Sequence, residues 1–241
     1  MIFAAGLGTR LRPITNDIPK ALAPLCDKTL LLSCIEYLAA ADVDEIIINI
    51  HHYADKIIEY LKSNTPQGVR ISFSDERGQL LDTGGGLKNV ASFFKDDKNP
   101  FLLINVDVFT DTDLLDMLSF HEDNDALITL AVRKRTTSRY LLFDEKYSLV
   151  GWKNEKNNDI KWVKKGVKKY QQLAFSGIHV VSPDIFALMP SQKTFSIIDL
   201  YLQLAEKNNI IAYDHTNDMW MDLGKPEQLK EAERIIKNIN Q

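Results

Sequence analysis

The stretch Ile2-Phe3-Ala4-Ala5-Gly6-Leu7-Gly8-Thr9-Arg10, followed by Pro19-Lys20, decides how this chain is read. Its first four residues are apolar and strand-like. Glycines directly after a strand let the backbone turn tightly and approach a ligand with no Cβ in the way. Such a loop presents backbone N–H groups to an anion, and Arg10 and Lys20 add full positive charges beside it. The ligand this predicts is a chain of phosphates. Gly6 and Gly8 alone are weak signals, because glycine pairs occur in ordinary turns. The pair followed by Thr9-Arg10 and then Pro19-Lys20 is far more specific.

Two common phosphate loops do not fit. A dinucleotide fingerprint needs a third glycine leading into a helix, where this chain has Leu11 and then Pro13. No G-x-x-x-x-G-K-[ST] motif is present. Outward from the loop, the first half alternates strand and helix patterns. Helical stretches are predicted at 30–41, 54–62, 85–94 and 111–124. Strands are predicted at 45–50, 69–74, 101–105 and 126–133, and Ile46-Ile47-Ile48 has the unbroken apolar character of a buried parallel strand. This rhythm implies a mainly parallel sheet with helices on both faces. In the second half, 140–153 reads as paired strands and 154–169 as a polar, lysine-rich loop or hairpin. Strands follow at 174–181 and 210–214, with helices at 183–188, 196–207 and 226–238.

The 241 residues suit one large domain, read here as a first half, 1–133, and a second half, 134–241. A net charge of −4 gives no basic signal for nucleic acid. Cys26 and Cys34 lack metal-like companions and read as buried thiols in a reducing, cytoplasmic compartment. No apolar run reaches membrane-spanning length, and there is no signal-peptide pattern.

The segment from Ala4 to Leu22 resembles the signature of the sugar-1-phosphate nucleotidyltransferases. Leu81-Asp82-Thr83-Gly84-Gly85-Gly86, Asn105-Val106-Asp107, Phe175-Ser176-Gly177 and Trp220-Met221-Asp222-Leu223-Gly224 follow in that family's order. The resemblance implies a Rossmann-like three-layer α/β/α fold and the joining of a nucleoside triphosphate to a sugar 1-phosphate with release of pyrophosphate. Members usually carry a few residues before the first strand, so Met1 is expected to fall inside it.

The resemblance also implies roles. Ala4, Ala5, Gly6, Gly8, Thr9 and Arg10 would cradle the triphosphate, and Lys20 would sit near the α-phosphate or the acceptor phosphate. Asp82, Thr83, Gly84 and Gly85 would face base and ribose, with backbone amides reaching base oxygens. Gly177 and Asn105 would border the sugar. Asp107, at the carboxyl end of a predicted parallel strand, and Asp222 would hold Mg²⁺, a cation that takes oxygen ligands and usually one or two carboxylates. Arg10, Lys20 and Asp107 are the expected catalytic groups.

Two departures stand out. Val106 occupies a position where the family usually has glycine, and the Glu-Lys-Pro motif whose lysine grips the acceptor phosphate is missing. Lys153 and the lysines of 161–169 fall in that region without a clear assignment. His121, His179 and His215 read as structural, and one of His51 and His52 as a possible substrate contact. The segment Leu81 to Gly86 and the short length are most similar to N-acetylmuramate-1-phosphate uridylyltransferases. Mannose- or heptose-1-phosphate guanylyltransferases are the alternative, and a non-catalytic nucleotide-sugar-binding subunit is the reading from another class.

Overall fold

The computed structural model describes residues 1–95, 98–164 and 166–239. Its strands are β1 (Ile2–Phe3), β2 (Pro24–Leu25), β3 (Lys28–Thr29), β4 (Glu45–Ile50), β5 (Arg70–Asp75), β6 (Phe101–Asn105) and β7 (Val108–Thr110). They continue as β8 (Ile128–Arg133), β9 (Arg139–Phe143), β10 (Leu149–Asn154), β11 (Asp159–Trp162), β12 (Gln171–Val181), β13 (Ile210–Asp214) and β14 (Trp220–Asp222). The helices are α1 (Leu30–Ala39), α2 (Ala54–Asn64), α3 (Asp82–Asn89), α4 (Leu114–Asp123), α5 (Ile197–Leu204) and α6 (Pro226–Ile239).

The chain forms two units. The first comprises Met1–Leu80, Ile104–Asp111 and Met219–Gln241, the second Leu81–Leu103 and Thr112–Asp218. The final segment returns to the first unit because β14 pairs with β7 there.

In the first unit every pairing among β6, β1, β4 and β5 is parallel, with Ile2 opposite both Ile48 and Ile104. Helices cover these strands, so Ile46-Ile47-Ile48 is buried without alternation. Thr29 caps α1 by accepting from the Leu32 N–H at 3.1 Å. The helix then buries Leu30, Leu31, Cys34, Ile35 and Leu38, the spacing of one apolar face. A second apolar cluster joins Leu11, Ala23, Leu25, Leu30 and Leu223 to Leu229 and Ala232 of α6. It anchors both ends of the glycine-loop segment.

The second unit is mostly antiparallel, in the order β11-β10-β9-β12, with β12 also pairing β8. β13 pairs β8 in parallel. Short connections between β9, β10 and β11 allow direct hairpins, which parallel strands cannot use. The lysine-rich stretch contains β11, so it is a hairpin and not a loop; Lys165 lies outside the described residues. Phe94, Phe101 and Phe186 stack in this unit, with centroids 4.1 and 5.7 Å apart.

The helix predicted at 85–94 begins earlier, at Asp82, and ends at Asn89, with a separate 3-10 turn at Ala91–Phe94. The one predicted at 111–124 begins at Leu114, because Asp113 caps it by accepting from the Leu115 and Asp116 amides. Among the described residues no helix is long and apolar enough to cross a membrane.

Candidate active site

The glycine loop lies in the first unit, immediately after β1. Gly6, Gly8, Thr9, Arg10 and Lys20 line a cavity of about 310 Å³, together with Leu7 and Gly224. Gly8 has φ +67°, and a Cβ there would stand 3.0 Å from Lys20 Cβ and 3.2 Å from Thr15 Cγ2. Glycine is required on both counts. The Thr15 hydroxyl donates to the Gly8 carbonyl at 2.7 Å and the Leu11 amide donates to it at 3.0 Å. These bonds hold the loop open before any ligand arrives.

Ala4 and Ala5 do not present their amides to this cavity. Both donate to Asn49 Oδ1, at 2.7 and 3.3 Å. Asn49 in turn donates from Nδ2 to Glu76 Oε1 at 2.9 Å, and both side chains are buried. Through these bonds the Ala4 and Ala5 amides fix the strand end from which the loop springs. Glu76 was not singled out from sequence; the available signal was Asn49, a polar residue inside the isoleucine-rich, buried strand β4.

Asp107 and Asp222 come together by strand register. In the antiparallel pair of β7 and β14, Asp222 stands opposite Val108, and the Leu223 amide donates to the Asp107 carbonyl at 2.8 Å. Lys20 Nζ donates to Asp107 Oδ2, and the two side chains are only 15% and 11% exposed. Arg10 Nη1 lies 3.7 Å from Asp222 Oδ2, with its guanidinium 57% exposed. The Gly224 amide donates to Asp222 Oδ1 at 2.8 Å.

Burial pushes the Asp107 carboxyl up. The adjacent Lys20 charge and the hydrogen bonds from Lys20 and Asp222 outweigh it and hold the group below the usual carboxylate range. Asp222 moves the other way: burial and the Asp107 charge raise it, and Arg10 offsets part of that rise. Two carboxylates forced this close cannot both ionise without a cation between or beside them. Among the described residues no three His, Cys, Asp or Glu side chains cluster as metal ligands. A pair of carboxylates suits a hard cation whose remaining ligands are phosphate oxygens and water.

Asn105 ends β6 within the same unit, opposite Phe3 in register. Arg12 is exposed and does not line the cavity. His51 Nδ1 is 2.7 Å from the Glu76 carbonyl oxygen, and the exposed His52 ring lies tilted against Tyr53, with centroids 4.0 Å apart.

The remaining predicted residues belong to the second unit. The Gly84 and Gly85 amides both donate to the Phe195 carbonyl, at 3.0 and 3.3 Å. A Cβ on Gly84 would sit 2.4 Å from the Phe195 ring, and one on Gly85 2.2 Å from the Lys193 carbonyl oxygen. Close packing of α3 requires glycine at both positions. Thr83 Oγ1 accepts from the Ile197 amide at 3.1 Å, while Asp82 is exposed at φ +60°. Gly177 has φ +81° and lies where the register of β12 against β8 shifts.

His121, His179 and His215 are buried against Thr129, Tyr201, and Thr112 with Ser176 respectively. Lys153 pairs with Glu155 at 2.8 Å.

The family model described as nucleotidyl transferase matches residues 1–239. The chain belongs to that family. It is 30% identical over 94% of its length to the mannose-1-phosphate guanyltransferase of Yarrowia lipolytica, of which it spans 61%. It is also 30% identical, over 97% of its length and 94% of the relative's, to the N-acetylmuramate alpha-1-phosphate uridylyltransferase of Caulobacter vibrioides. Among solved structures, HddC from Yersinia pseudotuberculosis complexed with GMP-PN matches with a TM-score of 0.74 at 26% identity, covering 98% and 97% of the two chains. The α/β fold anticipated from the sequence is therefore the Rossmann-like, mixed-sheet fold of nucleotidyltransferases.

Proposed function

We propose that this protein is a Mg²⁺-dependent sugar-1-phosphate nucleotidyltransferase. The observation that carries the reading is the set Arg10, Lys20, Asp107 and Asp222 gathered at the glycine-loop cavity within one unit. In the reaction, a phosphate oxygen of the acceptor attacks the α-phosphorus of the nucleoside triphosphate. The bond from that phosphorus to the oxygen bridging it to the β-phosphate breaks, and pyrophosphate leaves with the electron pair.

Little covalent chemistry falls to the protein, so positioning and electrostatics carry the rate. The amides around Gly6 and Gly8 and the Arg10 fork hold the triphosphate; a planar guanidinium binds two phosphate oxygens at once. Lys20 neutralises the α-phosphate or the incoming phosphate. Asp107 and Asp222 would hold Mg²⁺, which when bound supplies charge neutralisation on the phosphate oxygens. The metal also accounts for a carboxylate pair that protein groups only partly neutralise.

For the finer assignment, transfer from UTP to N-acetylmuramate 1-phosphate is supported by the relative of matching length from Caulobacter vibrioides. A mannose- or heptose-1-phosphate guanylyltransferase is the second reading, favoured by the guanyltransferase from Yarrowia lipolytica. A non-catalytic nucleotide-sugar-binding subunit is disfavoured by the retention of all four charged residues. Pyrophosphate release from a panel of nucleoside triphosphates and sugar 1-phosphates tests the reading. Turnover restricted to UTP with N-acetylmuramate 1-phosphate supports the first assignment, and turnover with GTP the second. Silence across the panel in the presence of Mg²⁺ rejects an enzyme of this class.

A further inference from the structure

Between Ile48 and Ile50 on β4 stands Asn49, a buried polar side chain in an otherwise aliphatic run. Parallel pairing places it opposite Phe3 of β1 on one side and Ser74 of β5 on the other. β1 ends at Phe3, yet the chain stays buried through Ala4 and Ala5. Two backbone N–H groups past the strand end therefore need acceptors, because a buried donor left unmet loses its hydration without return. Asn49 Oδ1 meets both, at 2.7 and 3.3 Å. One side-chain oxygen with two lone pairs thus carries the strand's hydrogen bonding two residues further, up to the glycine at which the cavity begins.

The orientation of that side chain is fixed from behind. The Ala4 and Ala5 amides only donate, so Oδ1 must face them, and Nδ2 then donates to Glu76 Oε1, 2.9 Å away. Glu76 is buried as well, and its backbone is pinned. Its amide donates to the Ile50 carbonyl at 2.8 Å, and its own carbonyl accepts from the Gln79 amide at 3.0 Å. The same carbonyl lies 2.7 Å from His51 Nδ1, which carries the proton there because a carbonyl only accepts. Burying a carboxylate is costly where packing is the only requirement, since an aliphatic side chain would fill the space without losing hydration. Glu76 supplies what an aliphatic group cannot, an acceptor that keeps the Asn49 amide from flipping. Asn49, Glu76 and the glycine loop all belong to the first unit.

We infer that Asn49, oriented by Glu76, is a positioning residue of the proposed nucleotidyl transfer. It acts through Ala4 and Ala5: by holding their amides it sets where the turn from Gly6 to Gly8 starts, and so where the triphosphate lies against Arg10 and Lys20. The inference rests on the proposed reaction and adds the residues that aim its phosphate loop. In-line displacement is sensitive to such aim, and a shift on the order of 1 Å at the reacting atoms lowers a rate about a hundredfold.

Exchanging donor and acceptor tests this. Asn49→Asp keeps the size and keeps an oxygen toward Ala4 and Ala5, but sets a second oxygen against Glu76, acceptor to acceptor. Asn49→Asp/Glu76→Gln restores the bond with its direction reversed, the carboxamide at 76 donating to the carboxylate at 49. Pyrophosphate release is measured with the triphosphate and sugar 1-phosphate that the wild type turns over, each varied in turn. Calorimetry with UTP and GTP and a melting curve accompany each protein. Asn49→Asp is expected to lower kcat/KM for the triphosphate by about tenfold to a hundredfold, with KM for the sugar phosphate within about twofold of wild type. The double variant is expected to return to within about threefold of wild type. Glu76→Gln keeps an acceptor and should exceed Glu76→Met, which has none at similar length, by about tenfold in the same constant. That comparison decides the matter where Asn49→Asp does not fold.

A wild-type constant in Asn49→Asp overturns the inference. So does a loss that the double variant fails to recover, or one that falls equally on both substrates, as a merely structural defect would. Any of these results with a wild type that turns over leaves the proposed reaction standing. Silence of the wild type across the substrate panel rejects the reaction instead. Triphosphate affinity, expected to fall in Asn49→Asp and to return in the double variant, then decides the placement of the loop by itself.

Discussion

At Asp107 and Asp222 one strand register sets two carboxylates side by side, and their opposite shifts follow from which cation each one has. Asp222 is raised above its ordinary value, so folding favours its protonated form. Its contribution to stability is greatest in acid and is lost as the pH rises through the raised value; at neutral pH its charge opposes folding. Asp222→Asn should therefore raise the melting temperature in EDTA while removing activity, and saturating Mg²⁺ should erase the stability gain. A lower melting temperature in EDTA would mean that the pair is not under like-charge strain. Arg10 makes a different demand. Arg10→Lys keeps the charge but not the fork, so kcat/KM is expected about tenfold or more below wild type, yet above Arg10→Ala. Equal kinetics for Arg10→Lys and wild type would remove the bidentate role.

Among the elements, the glycine loop is the most constrained. Valine at Gly8 would meet both a positive φ and the Lys20 and Thr15 side chains, so Gly8→Val should abolish triphosphate binding in calorimetry. Normal binding would show that the loop is not the cradle. Beneath it, Leu11 is fully buried between the loop and α6. Leu11→Ala should cost about 2–5 kcal/mol in urea unfolding, as cavity-forming changes do, and a loss under 1 kcal/mol would mean that the cluster does not anchor the loop. This level also shows what the sequence could reveal. The loop, the parallel first half and Asp107 were legible because each is local: glycines after a strand, an apolar run, a carboxylate at a strand end. The amide partners were not. Asn49 engaging Ala4 and Ala5, and Phe195 engaging Gly84 and Gly85, depend on residues far along the chain.

Across the whole molecule, the chain leaves and re-enters its two units. Alternation of strand and helix marked the parallel first unit, whereas the second is largely hairpins whose pairing partners propensity does not choose. Acid sensitivity should be set in the second unit. Burial lowers His121 to about 4 and His179 to about 3, so both fold neutral while the unfolded chain takes up protons below its ordinary histidine value. Stability present above about pH 6.5 is thus lost as the pH falls, by roughly 2–3 kcal/mol for His121 alone near pH 4. Urea midpoints measured from pH 7 to pH 4.5 should decline, and His121→Gln should flatten the decline; an unchanged slope would assign acid sensitivity elsewhere. The central claim is that Asp107 and Asp222 form the metal-holding centre of nucleotidyl transfer. Its most direct test is pyrophosphate release with Mg²⁺ at saturating triphosphate and sugar phosphate, comparing wild type, Asp107→Asn and Asp222→Asn at equal folded concentration. The account predicts that each substitution lowers kcat by about a thousandfold and that EDTA silences the wild type; a wild-type rate in either variant, or in excess EDTA, would contradict it.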